Sequence, residues 1–170
     1  MDIKVKLING GIMPQKQRKR DACFDCYANE SVFIKNGEIA KIPLGFALQL
    51  PSNFEAQIRP LSGLSCKGIL TQLGTVDENY RGEVAAIVYN ASGEDFCLSK
   101  GGRICQMAIR MIMFTQQILI DIDNYIRDDF FEDKGHAQSI EDYLTTQTLI
   151  EVSELDSTER GENGFGSSGI

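Results

Sequence analysis

Five short stretches of the chain gather reactive or binding side chains, four of them with glycines: DACFDCYA (21–28), RPLSGLSCKG (59–68), GTVDENYRGEV (74–84), KGGRICQM (100–107) and RGENGFGSSGI (160–170). The last has the clearest chemistry. Phe165 stands between glycines, with Arg160 before it and Ser167 and Ser168 after it, a set that can stack on a ring and wrap a phosphate. Glycine loses the most backbone entropy on ordering, so Gly161, Gly164, Gly166 and Gly169 predict a tail that is mobile until something binds it. The plain alternative is a frayed chain end. The other stretches also have plain readings when taken singly: Ser62-Gly63 as a turn, Tyr80 as core and Asp77 as a turn acid. Cys23 and Cys26 form a CxxC, but a tetrahedral zinc site wants a second close pair, and the only histidine is His136 in a charged stretch. The same shortage disfavours a Ser-His-Asp triad, for which His136 would be the sole base.

Composition narrows the partners. A chain of 170 residues, 42% of them hydrophobic, is expected to form one domain with a full core. It has no apolar run long enough for a membrane span, and MDIKVKLING alternates where a signal peptide would be continuously apolar. The expectation is a soluble protein of the cytoplasm, or of the nucleus or an organelle in a eukaryote, with no membrane partner. A net charge of −7 argues against a nucleic acid polymer, whose binding draws on clustered lysine and arginine, so any anionic ligand must be small and gripped locally. The five cysteines, at 23, 26, 66, 97 and 105, are an odd and scattered set that suits a reducing compartment.

The elements that must position these residues read as strands. Ile3, Val5 and Leu7 alternate with polar neighbours, SVFIKNGEIAKIPLGFALQL carries two β-rich runs around Asn36-Gly37, and EVAAIVYN and DFCLS flank the turn-like ASGE. Short strands punctuated by glycine predict an all-β barrel or sandwich. After RICQMAIRMIMF an acidic excursion is expected over about 115–147, with one candidate helix start at Ser139, followed by a last strand in LIEVSEL (149–155). The domain boundaries expected are 1–157 for the β domain and 158–170 for a flexible C-terminal lid.

In type and order the five stretches resemble the motifs of the homotrimeric deoxyuridine triphosphatase (dUTPase) family, with GTVDENYRGEV and ERGENGFGSSG the longest matches. The resemblance implies a distorted jelly-roll or β-barrel subunit, an acidic insertion, a mobile glycine-rich tail and active sites shared in a homotrimer, with the tail of one subunit closing a site on another. It implies Mg²⁺-dependent hydrolysis of dUTP to dUMP and pyrophosphate, a step in dUMP biosynthesis. Asp77 falls at the general-base position, and proton removal from water is what a positioned carboxylate does. Tyr80 falls on the aromatic that packs against deoxyribose, while Thr75, Val76 and Ala85 lie in the hairpin that reads uracil through backbone groups. Ser62, the Gly63 backbone and Gln106 correspond to phosphate-handling positions. Arg160 matches the arginine that neutralises the γ-phosphate. Phe165 would stack over the base, with Gly166, Ser167 and Ser168 offering donors to phosphate. Magnesium would be held by triphosphate oxygens and water, with no direct protein ligand and Asp25 acting on it only through other groups.

Several positions depart from the family pattern. Leu61 replaces an arginine that supports phosphate binding, with Arg59 two residues earlier; Cys23 stands at a usual glycine, Asn79 at a frequent aspartate and Gly102 at a usual acid. The segment from Lys67 to Asp77 is shorter than usual. These departures and the excursion keep two alternatives in view, a dUTPase-like nucleotide- or protein-binding regulator with weak turnover and, within the same fold family, a dCTP deaminase.

Overall fold

The computed structural model describes residues 2–112 and 147–165. Strand β1 (Asp2–Leu7) shows how the pattern becomes structure: Ile3 and Val5 are fully buried, while Lys4 and Lys6 point outward and pair with Asp156 and Glu154. Nine strands follow in order along the chain before residue 100: β2 (Phe24–Tyr27), β3 (Val32–Ile34), β4 (Ile39–Pro43), β5 (Phe46–Gln49), β6 (Phe54–Pro60), β7 (Ile69–Thr71), β8 (Gly74–Val76), β9 (Ala85–Asn90) and β10 (Phe96–Leu98). The long β11 (Arg103–Met111) and β12 (Thr148–Glu151) complete the set, and α1 (Ser62–Ser65) is the one helix among the described residues.

Four small sheets enclose one core. Their orders are β12-β1-β5, β10-β3, β2-β11-β6-β8 and β4-β9-β7. The class is all-β, as the strand pattern predicts, and jelly-roll-like, as the resemblance implies. Strand β6 alternates cleanly, with Phe54, Ala56 and Ile58 inward and Glu55, Gln57 and Arg59 outward. Its neighbour β11 lies between β2 and β6, and Ile104, Cys105, Met107, Ala108 and Ile109 are all buried. An irregularity between Arg103 and Cys105 shifts the β2 register and sets Cys105 opposite Cys26 in the core. Burial, then the hydrogen bond to Cys105, pushes the Cys26 thiol well above its ordinary pKa, so it acts as a packing group beside the equally buried Cys105.

The two turn signals are corners, not simple hairpins. Strand β3 pairs with β10, whereas β4 pairs with β9, so the chain changes sheets at Asn36-Gly37 and again at Ala91–Glu94. Buried Asn90 ties the corners together: its Nδ2 donates to the carbonyls of Ile34 (2.9 Å) and Glu94 (2.8 Å), and its carbonyl accepts from Gly37 N–H (2.7 Å). Strand β12 runs parallel to β1, from Asp2 opposite Thr148 to Val5 opposite Glu151, and covers the first part of the strand expected at 149–155. All but the last residue of the expected excursion, including the candidate helix start at Ser139 and His136, lie outside the described residues. Among the described residues no helix is long and apolar enough to cross a membrane.

Candidate active site

The segment from Gly74 to Ala85 bridges two sheets, and a cleft opens where it does so. Strand β8 pairs only with β6 (Thr75 opposite Gln57, Gly74 opposite Ile58), while β9 is engaged on both sides by β4 and β7. Thr75 and Val76 therefore do not form a hydrogen-bonded hairpin with Ala85; the two arms belong to different sheets. The physical consequence is that β8 is an edge strand, and an edge strand keeps unpaired backbone donors and acceptors available to a partner. A cavity of about 140 Å³ lies there, lined by Thr75, Val76, Tyr80, Ala85, Arg160 and Phe165 together with Ile58, Gln72, Leu73, Gly74, Val84, Ile87 and Gly164.

Tyr80 is nearly buried, and its hydroxyl donates to the Glu83 carbonyl at 3.1 Å. Burial pushes its phenol pKa up, against the opposing pull of Arg160. Two glycines let backbone press against its ring: a Cβ on Gly82 would stand 2.4 Å from the hydroxyl, and one on Gly164 would stand 2.8 Å from Cε2. Asp77 opens the turn that delivers Tyr80, whose N–H donates to the Asp77 carbonyl at 3.1 Å.

The tail lies over this cleft on its own chain. Arg160 forms an ion pair with Asp77 through Nη1 and Oδ2, and its guanidinium carbon sits 5.5 Å from the Tyr80 ring centre. Thr158 Oγ1 donates to the Asn79 carbonyl (2.5 Å), and the Gly161 carbonyl accepts from Arg81 N–H (2.7 Å). Arg81 ties the tail to the turn, donating also to the carbonyls of Glu78 (2.6 Å), Tyr80 (3.1 Å) and Asp156 (2.9 Å). Phe165 ends the described tail, 56% exposed and with φ of +51°, and Lys41 Nζ lies 3.6 Å from its ring centre. The resemblance implies closure of a site on another subunit; in this single chain the described tail covers the chain's own cleft. Gly166, Ser167 and Ser168 lie outside the described residues.

Ser62, Gly63, Gln106 and Asp25 form a separate group. Ser62 and Gly63 open α1, and Gln106 Nε2 donates to the Pro60 carbonyl just before it at 2.8 Å. Cross-strand register places Asp25, Gln106 and Arg59 in one row of the sheet. None of the four lines the cleft. The Asp25 carboxylate accepts from Arg103 Nη1 at 2.9 Å, a contact that raises the arginine's pKa. Among the described residues no three His, Cys, Asp or Glu side chains form a metal-sized cluster. Gly102, at the usually acidic position, is packed tightly, since a Cβ there would stand 2.5 Å from Leu98 Cδ1.

Sequence reasoning missed Arg81, Glu83 and Lys41. Arg81 and Glu83 sit inside the quoted GTVDENYRGEV, but their partners, Gly161 and the Gly45 N–H that donates to Glu83 Oε1 at 3.0 Å, are remote in the chain. Lys41 had no local signal at all.

An all-β chain with an edge-strand cleft and a basic, aromatic tail across it, whose Arg160 pairs with Asp77, sets the class. The dUTPase family model matches residues 9–128, and the chain belongs to the dUTPase family of enzymes. It is 34% identical over 174 residues to the deoxyuridine 5'-triphosphate nucleotidohydrolase of Clostridium acetobutylicum, with 100% of this chain and 98% of that one covered. The Clostridium kluyveri protein of the same name is 38% identical over 173 residues, covering 99% of each. Among solved structures, a dUTPase of Staphylococcus bacteriophage 80alpha bound to dUpNHpp superposes with a TM-score of 0.62 at 24% identity over 99% of this chain and 98% of that one. A dUTPase from phage phi11 of S. aureus, described with a structural Mg(II) ion, gives 0.63 at 21% identity over 66% of this chain and 92% of its own. These two likenesses bear on fold.

Proposed function

We propose that the chain hydrolyses dUTP to dUMP and pyrophosphate, with Asp77 as general base and residues 158–170 as a lid. The observation that carries this reading is that Tyr80 and Arg160 line a cleft whose one wall is a strand edge, with Asp77 ion-paired to that arginine. Uracil would enter between β8 and Ala85 and be read by backbone groups, and the deoxyribose would rest on Tyr80. In the nucleotide-free chain Arg160 occupies the Asp77 carboxylate. A triphosphate offers that guanidinium a stronger, multiply charged partner. Arg160 then transfers to phosphate, and Asp77 removes a proton from water as the water oxygen bonds to phosphorus and the phosphorus–oxygen bond to pyrophosphate breaks. Phe165 covers the base and excludes solvent.

The donor set also bears on the metal. Asp25 is held by Arg103 and Asp77 by Arg160, so the described residues offer no cage of their own. That fits a Mg²⁺ carried chiefly by triphosphate oxygens and water, supplying charge neutralisation at the phosphates, with Asp25 acting through its neighbours. Ser62, Gly63 and Gln106 sit together but apart from the cleft, which supports their serving the phosphates of a nucleotide bound mainly by a neighbouring subunit of a homotrimer. Light scattering is expected to give a trimer, and a clean monomer would remove shared sites from the account.

Pyrophosphate release from dUTP with Mg²⁺, run beside ammonia release from dCTP, tests the reaction class. Pyrophosphate from dUTP is expected; ammonia without pyrophosphate would assign a deaminase instead. Two substitutions probe the parts. Leu61 precedes α1 and lends the helix only its carbonyl, so Leu61→Arg can add a cation while leaving the backbone bonds of the helix start in place. A charge-assisted phosphate contact contributes about 1.5 to 3 kcal/mol, so kcat/KM for dUTP should rise roughly 10- to 100-fold. A fall would mean that the site has packed around leucine. Gly164→Ala places a methyl against the ring of the core residue Tyr80 and should raise KM severalfold with Tm little changed, because the tail, which contributes nothing to the core cluster, is the side that gives way.

A further inference from the structure

The contact between Lys41 and Phe165 has no place in the motifs. Lys41 is exposed on β4, directly opposite Ile87 of β9, and Ile87 lines the cleft. The register therefore sets the lysine on the cleft's rim, where its ammonium lies 3.6 Å from the centre of the Phe165 ring. That is well inside the range over which a cation is attracted to an aromatic face. Among the described residues Lys41 has no carboxylate within ion-pair distance. Phe165 itself sits in a left-handed backbone conformation with φ of +51°, which a bulky residue keeps only when its surroundings hold it there. Two contacts flank that position, Gly164 against Tyr80 and Lys41 against the ring.

We propose that Lys41 is the positioning residue of the lid: its ammonium clasps Phe165 through a cation–π contact and presets the ring beside the cleft before substrate arrives. Phe165 lines the cleft and remains 56% exposed, so the ring has room for a second partner, the base of the nucleotide. The inference rests on the lid reading above. Presetting the ring removes part of the ordering entropy that a glycine-rich tail loses on closing. The effect should therefore appear in KM more than in kcat.

The test separates the clasp from the catalytic reading. The chain has no tryptophan, so Phe165→Trp supplies a single fluorophore at the lid, and indole is the better face for a cation. Without nucleotide, adding Lys41→Met, which keeps the aliphatic stem and removes the charge, should increase acrylamide quenching of the introduced indole, and Lys41→Arg should restore protection. In the native-phenylalanine background Lys41→Met should raise KM for dUTP about two- to fivefold, the worth of a partly exposed cation–π pair. In a Phe165→Leu background it should change KM little, since the partner is gone. Quenching indifferent to residue 41, or a KM effect that persists in Phe165→Leu, would overturn the clasp whatever the turnover. Residue-41-dependent quenching in a protein that leaves dUTP intact would keep the clasp and remove the catalytic reading.

Discussion

Asp77→Asn should lower turnover of dUTP by roughly 10²- to 10⁴-fold while leaving the fold and nucleotide affinity in place. The substitution is nearly isosteric, and the Asp77 carbonyl that accepts from Tyr80 N–H is untouched, so the turn that delivers the tyrosine survives. What disappears is the anion that Arg160 holds in the nucleotide-free chain and that water requires as a base. The amide also releases Arg160, which gives the variant a second signature: dUTP binding should be undiminished or tighter, because the arginine no longer has to leave a carboxylate. Single-turnover kinetics would show a slow chemical step after normal binding. Near-normal turnover would remove Asp77 from the base role.

Removal of residues 159–170 should have an effect of similar or larger size by another route. The β core should stay folded with little change in Tm, because the core cluster contains no residue of this tail. Tyr80 would lose its cover at Gly164, and Arg81 would lose the Gly161 carbonyl, but both keep bonds within 78–83. Catalysis loses the Arg160 charge, the Phe165 stack and the exclusion of water together. An arginine that neutralises phosphate in the transition state is alone worth on the order of 10³-fold or more. Calorimetry beside steady-state turnover separates the two effects: a large fall in Tm would show the tail to be part of the domain, and unchanged turnover would show it to be a frayed end.

Much of the fold was legible because local alternation reports burial directly. Ile3 and Val5 sit where the pattern puts them, and EVAAIVYN contains β9. Strand β6 carries an equally clean alternation in Phe54, Ala56 and Ile58, which was not among the expected strands. The corners were not legible. Asn36-Gly37 and Ala91–Glu94 look like hairpin turns locally, but which sheet each flanking strand joins is decided by pairings with strands far away in the chain, and by Asn90, whose bonds reach both corners. The same limit applies to the site. Asp77, Tyr80, Arg160 and Phe165 could be nominated from residue types and motif order; Tyr80, Arg160 and Phe165 line one cleft, and Asp77 pairs with that arginine. The separation of Ser62, Gly63 and Gln106 from that cleft, the open arms at Thr75 and Ala85 and the Lys41 contact all depend on sheet order, which no short window encodes.

Parallel turnover of dUTP, UTP, dTTP and dCTP by the full chain with Mg²⁺, followed as pyrophosphate release, tests the central claim most directly. A cleft that reads uracil with the edge of β8 and rests deoxyribose on Tyr80 has a single good substrate: dUTP should be hydrolysed, while the 2'-hydroxyl of UTP, the methyl of dTTP and the altered hydrogen-bonding edge of dCTP should each reduce kcat/KM by at least about 10²-fold. Comparable rates on all four, or none on dUTP, would contradict the assignment of this cleft as a dUTP site.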